Sequence, residues 1–505
     1  MKNSKKKINS ISSKPDKTIL INKWELHDII LEFERQCNPF KYQIQDFCIW
    51  PLFRFLTYEH LKINSNSYNK REMISRADKT STFIKVFFYL KDIINFFRLC
   101  KHEKYELLGI TEDNRLRERI NNIYLNYVFD YFDPPLENIL YLYNTRMCEN
   151  RLKHYPKPFI SERILYSGSI FYFLEHKEDI NALEKLYKDF LGFLEKYDYK
   201  YYYTISFREW RKILKKFLIK MTAAKIIFKI LSPKIILIEC SYGKEWAVAA
   251  AKSLKIPIWE LQHGIIHNTH MAYLYDKDSA QKYKHQLPLP DKILTFGDYF
   301  SQILTERNFW NREDVPAIGL AKFEYIRKKF TYRLPQNSGT IAILLSSQWI
   351  LAEKLISFIK ETIPHLPTNT FFLVKTHPRE SKNQIKKYEM LGDKVTVIKE
   401  THDFYEAVSN CHIHCAVFST TLFESIGLGI PTIILNLPGV ENVSILIEKG
   451  YAKFASTPLE FIDIIKNCEN QNNYLKEWHT KTLQAQTHLW ETGVGEKLRQ
   501  LINSI

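Results

Sequence analysis

Brief, wholly apolar runs alternate with stretches of helix length along most of this chain. From Tyr105 onward, Glu106 to Ile110, Asn138 to Leu142 and Ile164 to Tyr166 are short apolar segments divided by polar loops. Ile235 to Ile238, Ile256 to Trp259 and Ile293 to Phe296 continue the series. A second series runs Thr340 to Leu345, Thr370 to Val374, Val395 to Ile398, Ile413 to Phe418 and Pro431 to Leu435. Runs that are apolar throughout, rather than at every second position, predict strands covered on both faces, as in parallel sheets flanked by helices. Ala352 to Thr362 is one intervening helix, and about Ile180 to Ile230 is a longer helical region with a tyrosine-dense patch at Tyr197 to Tyr203.

Upstream of Tyr105 the texture differs. Residues 1–20 are polar and lysine-rich and read as a disordered basic tail. Trp24 to Arg35 and the aromatic-rich Phe47 to Tyr58 read as helices. Phe83 to Arg98 is basic and aromatic, suited to packing against another helix, the favoured use, or to lying on a membrane surface. The expected division is a tail at 1–20, a helical region at 21–100, an α/β domain at 101–312 with a helical insertion, and a second α/β domain at 313–505. The fold class expected is α/β: two facing, doubly wound Rossmann-like domains with a helical N-terminal extension, their ligand sites at the carboxyl ends of the strands.

Composition narrows the function classes. The 505 residues are 45% hydrophobic, enough for full cores, and 72 Lys and Arg against 56 Asp and Glu leave a net charge of +16. That excess favours polyanions, anionic membrane surfaces or phosphorylated substrates. Clusters mixing Lys with Asp and Glu, without a basic-aromatic stripe on one element, weigh against nucleic acid as the partner. The eight cysteines are scattered without framework spacing, as expected of a reducing, cytoplasmic setting. No stretch reaches the roughly 18 apolar residues of a membrane span, so a soluble or peripheral protein is expected.

The candidate chemistry sits where strands end. Trp259-Glu260-Leu261-Gln262-His263-Gly264 follows an apolar strand, and Lys375-Thr376-His377-Pro378 follows another. His263 is either a proton acceptor in the cleft, its unperturbed pKa near about 6.5, or a loop histidine held by carbonyls. His267 and His270 lie in the next loop and read as weaker candidates, with exposed polar residues the favoured reading. Glu239, at the end of a strand with Lys244 and Glu245 after it, is the rival base, the group that orients His263, or a solvated loop acid. Lys375 and His377, on opposite sides of Thr376, can grip a phosphate between them, or end a strand as surface groups. Ser419, Thr420 and Thr421 open a helix after the Ile413 strand and offer hydroxyls, N–H groups and a dipole end to a phosphate; Glu424 can take ribose hydroxyls. Thr421-x-x-Glu424 also reads as a capping box that needs no ligand. Ser346 and Ser347 occupy the first strand-helix turn of the second domain. Gly-rich dinucleotide and Walker fingerprints are missing, which disfavours a dehydrogenase or NTPase. Asp276-Lys277-Asp278 and Cys411-His412-Ile413-His414-Cys415 resemble metal motifs, but the first lies outside the expected nucleotide domain and the second leads into a buried strand, so no metal is expected.

Residues 232 to 435 resemble the capsular polysaccharide biosynthesis glycosyltransferases of GT-B architecture, through Glu260-Leu261-Gln262-His263-Gly264-Ile265-Ile266, Leu373-Val374-Lys375-Thr376-His377-Pro378 and Ser419 to Thr432. The last segment is similar as well to teichoic acid glycerophosphotransferases and UDP-N-acetylglucosamine epimerases. The resemblance implies a nucleotide-sugar donor, a glycan or lipid-linked glycan acceptor of capsule or O-antigen type, no cofactor or metal, and work beside a membrane-associated polysaccharide assembly machinery at the inner face of the cell membrane. Taken together with the strand ends and loops read above, it places catalysis at His263 or Glu239, the acceptor loop at Gln262, Gly264 and His267, and nucleotide binding at Lys375, His377, Ser419, Thr420, Thr421, Glu424, Ser346 and Ser347. A CDP-alcohol polyol-phosphate transferase, a UDP-sugar epimerase and a non-enzymatic basic scaffold for nucleic acid or anionic lipid are the rival readings.

Overall fold

The computed structural model describes residues 26–505 apart from 66–81, 103, 121, 145–148, 172–176, 198, 200–202, 307, 331, 333–339, 399–402 and 471–472. The segment 1–20, the first two positions of the Trp24 to Arg35 helix reading, and positions 198 and 200–202 of the tyrosine patch lie outside the described residues.

The described residues form two parallel six-stranded sheets. The first contains β1 (Leu107–Glu112), β2 (Ile139–Asn144), β3 (Phe159–Ser161), β4 (Ile235–Glu239), β5 (Ile258–Leu261) and β6 (Lys292–Leu294), in the order β6-β5-β4-β1-β2-β3. The second contains β7 (Ile341–Ser346), β8 (Thr370–Lys375), β9 (Val395–Ile398), β10 (Ile413–Ala416), β11 (Thr432–Leu435) and β12 (Lys453–Ala455), in the order β9-β8-β7-β10-β11-β12. Each sheet is doubly wound, and its winding reverses once, between β1 and β4 or between β7 and β10. Connections leave such a pair of strands towards opposite faces, which opens a crevice at their carboxyl ends. The fold class expected from the apolar runs is the one observed.

The central strands show why. All five residues of β4 and all six of β7 are buried, as largely apolar strands between two helical layers must be. β8 serves two cores: Phe372 and Val374 enter the second domain's own core, while Phe371 and Leu373 pack against the larger core that runs through both domains. The helix Phe207–Leu231 starts at a capping box between Ser206 and Glu209 and packs against Glu245–Ser253, whose alanines at 247 and 249–251 permit close approach. Ile164 to Tyr166, expected as a strand, lies instead in the 3-10 turn Glu162–Ser167, and the strand is the preceding β3.

The N-terminal region forms three described helices, Leu26–Cys37, Pro51–Ser65 and Thr82–His102, with a small hairpin of Gln43–Ile44 and Phe47–Cys48 at the start of the aromatic segment. The first two helices are fused to the first domain: Glu34 accepts from Trp50, Arg54 and the Asp276 backbone N–H, and Arg54 stacks on Tyr275.

The chain's end crosses back. Val494 and Leu498 of the helix Val494–Asn503 join a core with Ile139, Tyr141 and Leu294, and Arg499 donates to the carbonyls of Asp133 and Pro134. By packing this last helix belongs with the first sheet, which the division at residue 313 does not capture, because a return across domains leaves no local pattern. Gly297 marks the crossing: a Cβ there would lie 2.4 Å from the Leu489 carbonyl. Gly297→Ala is expected to cost about 1–3 kcal/mol, read by chemical denaturation of the full chain, because backbone rather than a yielding side chain blocks the methyl.

Candidate functional site: the interdomain cleft

At the first domain's crevice, Glu239 ends β4 but does not face solvent. It is 0% exposed, accepts from Thr111 Oγ1, and pairs with Arg115 Nε at 2.7 Å. With both oxygens engaged, Glu239 is an anchor between β1, β4 and the loop after β1, and is not placed to take a proton from a bound hydroxyl. Cys240, with φ of 58°, turns the chain so that Lys244 Nζ donates to the carbonyls of Glu239 at 2.9 Å and Cys240 at 3.1 Å. Lys244 is a buried staple for this turn.

The Gln262-His263-Gly264 loop follows β5. Gln262 is buried; its Oε1 accepts from the Phe296 N–H and its Nε2 donates to the Gly264 carbonyl, both at 2.7 Å, so it ties the ends of β5 and β6 together. A Cβ at Gly264 would meet nothing within 4 Å, leaving that backbone open to close approach. The His263 side chain is only 11% exposed; Nε2 lies 3.2 Å from the Tyr242 hydroxyl, and Nδ1 lies 3.9 Å from Glu260, not Glu239. Burial, then Arg115 and Lys244, push its pKa down to about 3. Enclosed between Tyr242 and Glu260, this ring suits holding the loop better than catalysis.

His267 and His270 are half-buried in the loop that follows. Their rings stack at 5.1 Å, and His267 Nδ1 bonds Thr269 Oγ1 at 2.9 Å. Burial, with Lys62 and His27 behind it, lowers His267 to about 4; burial first and then His267 hold His270 well below its usual value. Both are therefore neutral at pH 7, with ring nitrogens able to accept a proton. His270 Nδ1 is buried without a hydrogen-bond partner.

At the second domain's crevice, Ser419 caps the helix Thr420–Gly427, accepting from the Thr421 N–H at 3.2 Å and from Thr421 Oγ1 at 2.8 Å. The cap is thus Ser419 and not the Thr421-x-x-Glu424 box. Ser346 and Ser347 are turned inward, away from a phosphate role. Ser346 donates to His414 Nε2 at 2.9 Å; Ser425, which donates to the Thr421 carbonyl, accepts from His414 Nδ1 at 2.9 Å. Ser347 donates to Glu380 and meets the Tyr388 hydroxyl at 2.7 Å. Lys375 is paired in register with Ser346 at the edge of the crevice, and His377 Nδ1 accepts from the Arg379 N–H at 3.1 Å, closing the turn before Glu380.

His414 has a measurable consequence. It is 0% exposed, and burial pushes its pKa down to about 3. The unfolded chain takes up this proton below about 6.5 and the folded one does not until about 3, so stability falls as pH drops through that window, by about 2 kcal/mol at about pH 5. His414→Gln is expected to be less stable at pH 7 but to lose less on acidification, as followed by denaturant titrations across that range.

The two crevices meet in a cavity of about 330 Å³. His267, Thr269 and His270 line it from the first domain, and Ser419 and Thr420 from the second; Phe55, Glu59 and Lys62 of the helix Pro51–Ser65 form a third wall. Burial raises Glu59 above the usual carboxylate range. His263, Glu239, Lys375, His377, Thr421, Glu424, Ser346 and Ser347 are not among its lining residues. Sequence reasoning missed the third wall, although Phe55, Glu59 and Lys62 stand at i, i+4 and i+7, one face of a helix. Asp276 of the Asp-x-Asp triplet caps a short helix through Ser279 and pairs with Arg35 at 2.9 Å. Cys415 and Ile413 pack in the second domain's core while Cys411 joins the larger one. Among the described residues no group of three or more His, Cys, Asp or Glu is arranged to hold a metal ion. The cavity therefore joins neutral imidazoles, a helix start with hydroxyls and a lysine, groups able to accept a proton and bind a phosphate in one space.

No protein-family model and no curated protein matches the sequence. Among solved structures, the chain is similar to Staphylococcus aureus MnaA in its UDP complex, with 12% identity, 79% of this chain and 98% of that one covered, and a TM-score of 0.46. It is similar to a putative UDP-N-acetylglucosamine 2-epimerase from Listeria monocytogenes at 13% identity, covering 80% and 96% with a TM-score of 0.49. For Acinetobacter baumannii MurG the identity is 13%, the coverage 80% and 100%, and the TM-score 0.47.

Proposed function

We propose that this protein is a nucleotide-sugar-dependent glycosyltransferase acting in the cavity between its two domains. One observation carries the reading: His267 and His270 stand in the same cavity as the Ser419–Thr420 helix start. In this reading the Thr420 end of that helix and Lys62 hold the departing nucleotide's phosphates, meeting their charge without a metal. Lys375 and His377, at the end of β8 on the far side of β7, extend the hold on the nucleotide. His267 takes the acceptor's proton as the glycosidic bond forms; the donor's bond to phosphate breaks, and the nucleotide leaves with the electron pair.

A larger cavity of about 410 Å³ is the acceptor pocket in this reading. Its walls mix the aromatic faces of Phe55, Tyr166 and Trp246, on which sugar rings stack, with Asn144, Lys216 and Glu245 for hydroxyls; Phe55 borders both cavities. The resemblance around Gln262 to Gly264 and Lys375 to Pro378 supports a surface polysaccharide, of capsule or O-antigen type, as the product.

The test is turnover of the full chain with UDP-, GDP- and CMP-sugars and CDP-glycerol, each with and without a lipid-linked or free glycan. Nucleotide release from a nucleotide sugar that requires the glycan is the expected result. Release from CDP-glycerol instead would make it a polyol-phosphate transferase, and sugar interconversion without any acceptor would make it an epimerase; either outcome replaces the proposal.

A further inference from the structure

The described side chains of the helix Thr82–His102 are held on one side. Phe96 is buried and Ile93, Leu99 and Cys100 pack against the large core. Asp92 pairs with Arg163 at 2.8 Å, and Asn95 donates to the Phe159 carbonyl at 3.2 Å. The packing expected of Phe83 to Arg98 thus describes one face. On the other, Leu90, Ile94 and Phe97 are 53%, 70% and 60% exposed, at i, i+4 and i+7, which sets them in a line along the helix. In the sequence the same spacing, carried towards the N-terminus, falls on Phe87 and Phe83. Lys91, Arg98 and Lys101 are exposed beside this line.

An apolar line bordered by cations has a restricted choice of cover. A second copy of the chain would bring the same lysines and arginine together, on a protein already carrying +16, whereas an anionic lipid surface satisfies both the cations and the apolar side chains. None of the described helices is long and apolar enough to cross a membrane, so such a helix lies in the plane of the interface. We infer that the face carrying Leu90, Ile94 and Phe97 docks this protein on anionic phospholipid, with Lys91, Arg98 and Lys101 on the headgroup phosphates and the three apolar side chains entering the acyl boundary. The turn Glu162–Ser167, whose Arg163 pairs with this helix, also carries Tyr166, 47% exposed at the rim of the larger cavity. Docking therefore brings that cavity beside the lipid; only the consequence that a lipid-linked acceptor is met there rests on the glycosyl-transfer reading.

Co-sedimentation of the full chain with phosphatidylglycerol–phosphatidylcholine vesicles, against phosphatidylcholine alone, tests the inference and is indifferent to turnover. The wild type should pellet with the anionic vesicles, and Leu90→Asp/Ile94→Asp/Phe97→Asp should reduce its partition by about tenfold or more. Ile94→Asp alone, at the most exposed of the three positions, serves if the triple variant does not fold, and Lys91→Glu/Arg98→Glu should weaken binding in proportion to the anionic lipid. Equal partition of wild type and folded variants, no preference of the wild type for anionic vesicles, or a wild-type dimer that these substitutions dissociate would each overturn it.

Discussion

Replacing Glu34 by alanine is expected to cost about 3–5 kcal/mol of folding stability, the largest single loss anticipated at any position. Glu34 and Arg54 have side chains 0% and 1% exposed. The carboxylate accepts from Trp50 Nε1 at 2.8 Å, Arg54 Nε at 2.5 Å and the Asp276 N–H at 2.7 Å. Arg54 itself donates to the Leu274 carbonyl and sits 3.9 Å over the Tyr275 ring. Deleting the carboxylate leaves a guanidinium charge in the interior beside an unpaired indole and an unpaired backbone N–H, each of which had given up water to be there. The loss should appear as a lower denaturation midpoint. Because the same contacts seat the helix Pro51–Ser65, the variant should lose turnover further than its folded fraction explains, through displacement of Phe55, Glu59 and Lys62.

The second large effect concerns chemistry. His267→Ala is expected to lower kcat by about 100-fold to 10,000-fold with nucleotide affinity kept, the range of a lost general base. His263→Ala should cost far less, because Tyr242 and Glu260 enclose that ring away from the cavity. The pH profile gives an independent reading. Burial holds His267 at about 4, so the unprotonated base persists below neutrality and the acid limb of kcat/KM should fall near 4 rather than near the ordinary histidine value. An acid limb near about 6.5, unchanged in His267→Ala, would remove His267 from the role.

The fold was largely legible because β4, β7 and β10 are apolar at nearly every position, a pattern that only a sheet covered on both sides requires. Strand ends bearing histidine and hydroxyl residues were also legible, and the cleft forms from two of them, the loop after Gln262 and the turn at Ser419. What each polar residue does there was not. Glu239, Ser346 and Ser347 look like site residues in one dimension, yet their partners, Arg115, His414 and Glu380, arrive from other strands and loops. A carboxylate or hydroxyl near a crevice is a ligand group only if no closer neighbour claims it, and such neighbours depend on sheet order, which apolar periodicity does not encode. His267 was undervalued for the complementary reason: its loop runs on past the strand end, and its facing of Ser419 depends on how the two domains pack. The third wall needed still more, since the amphipathic face of Pro51–Ser65 reads as core until the cleft beside it is known.

Calorimetric titration of nucleoside diphosphates into the wild type, Thr420→Glu and His267→Ala tests the shared cavity. Thr420 is exposed at the helix start, so glutamate there sets a negative charge against the phosphate without disturbing the core. At least one nucleoside diphosphate should bind the wild type and His267→Ala alike, and Thr420→Glu, with an unchanged melting temperature, should weaken that binding by about tenfold or more, a loss of about 1.4 kcal/mol. Failure of every nucleoside diphosphate to bind, or binding of equal strength in Thr420→Glu, would rule the shared site out.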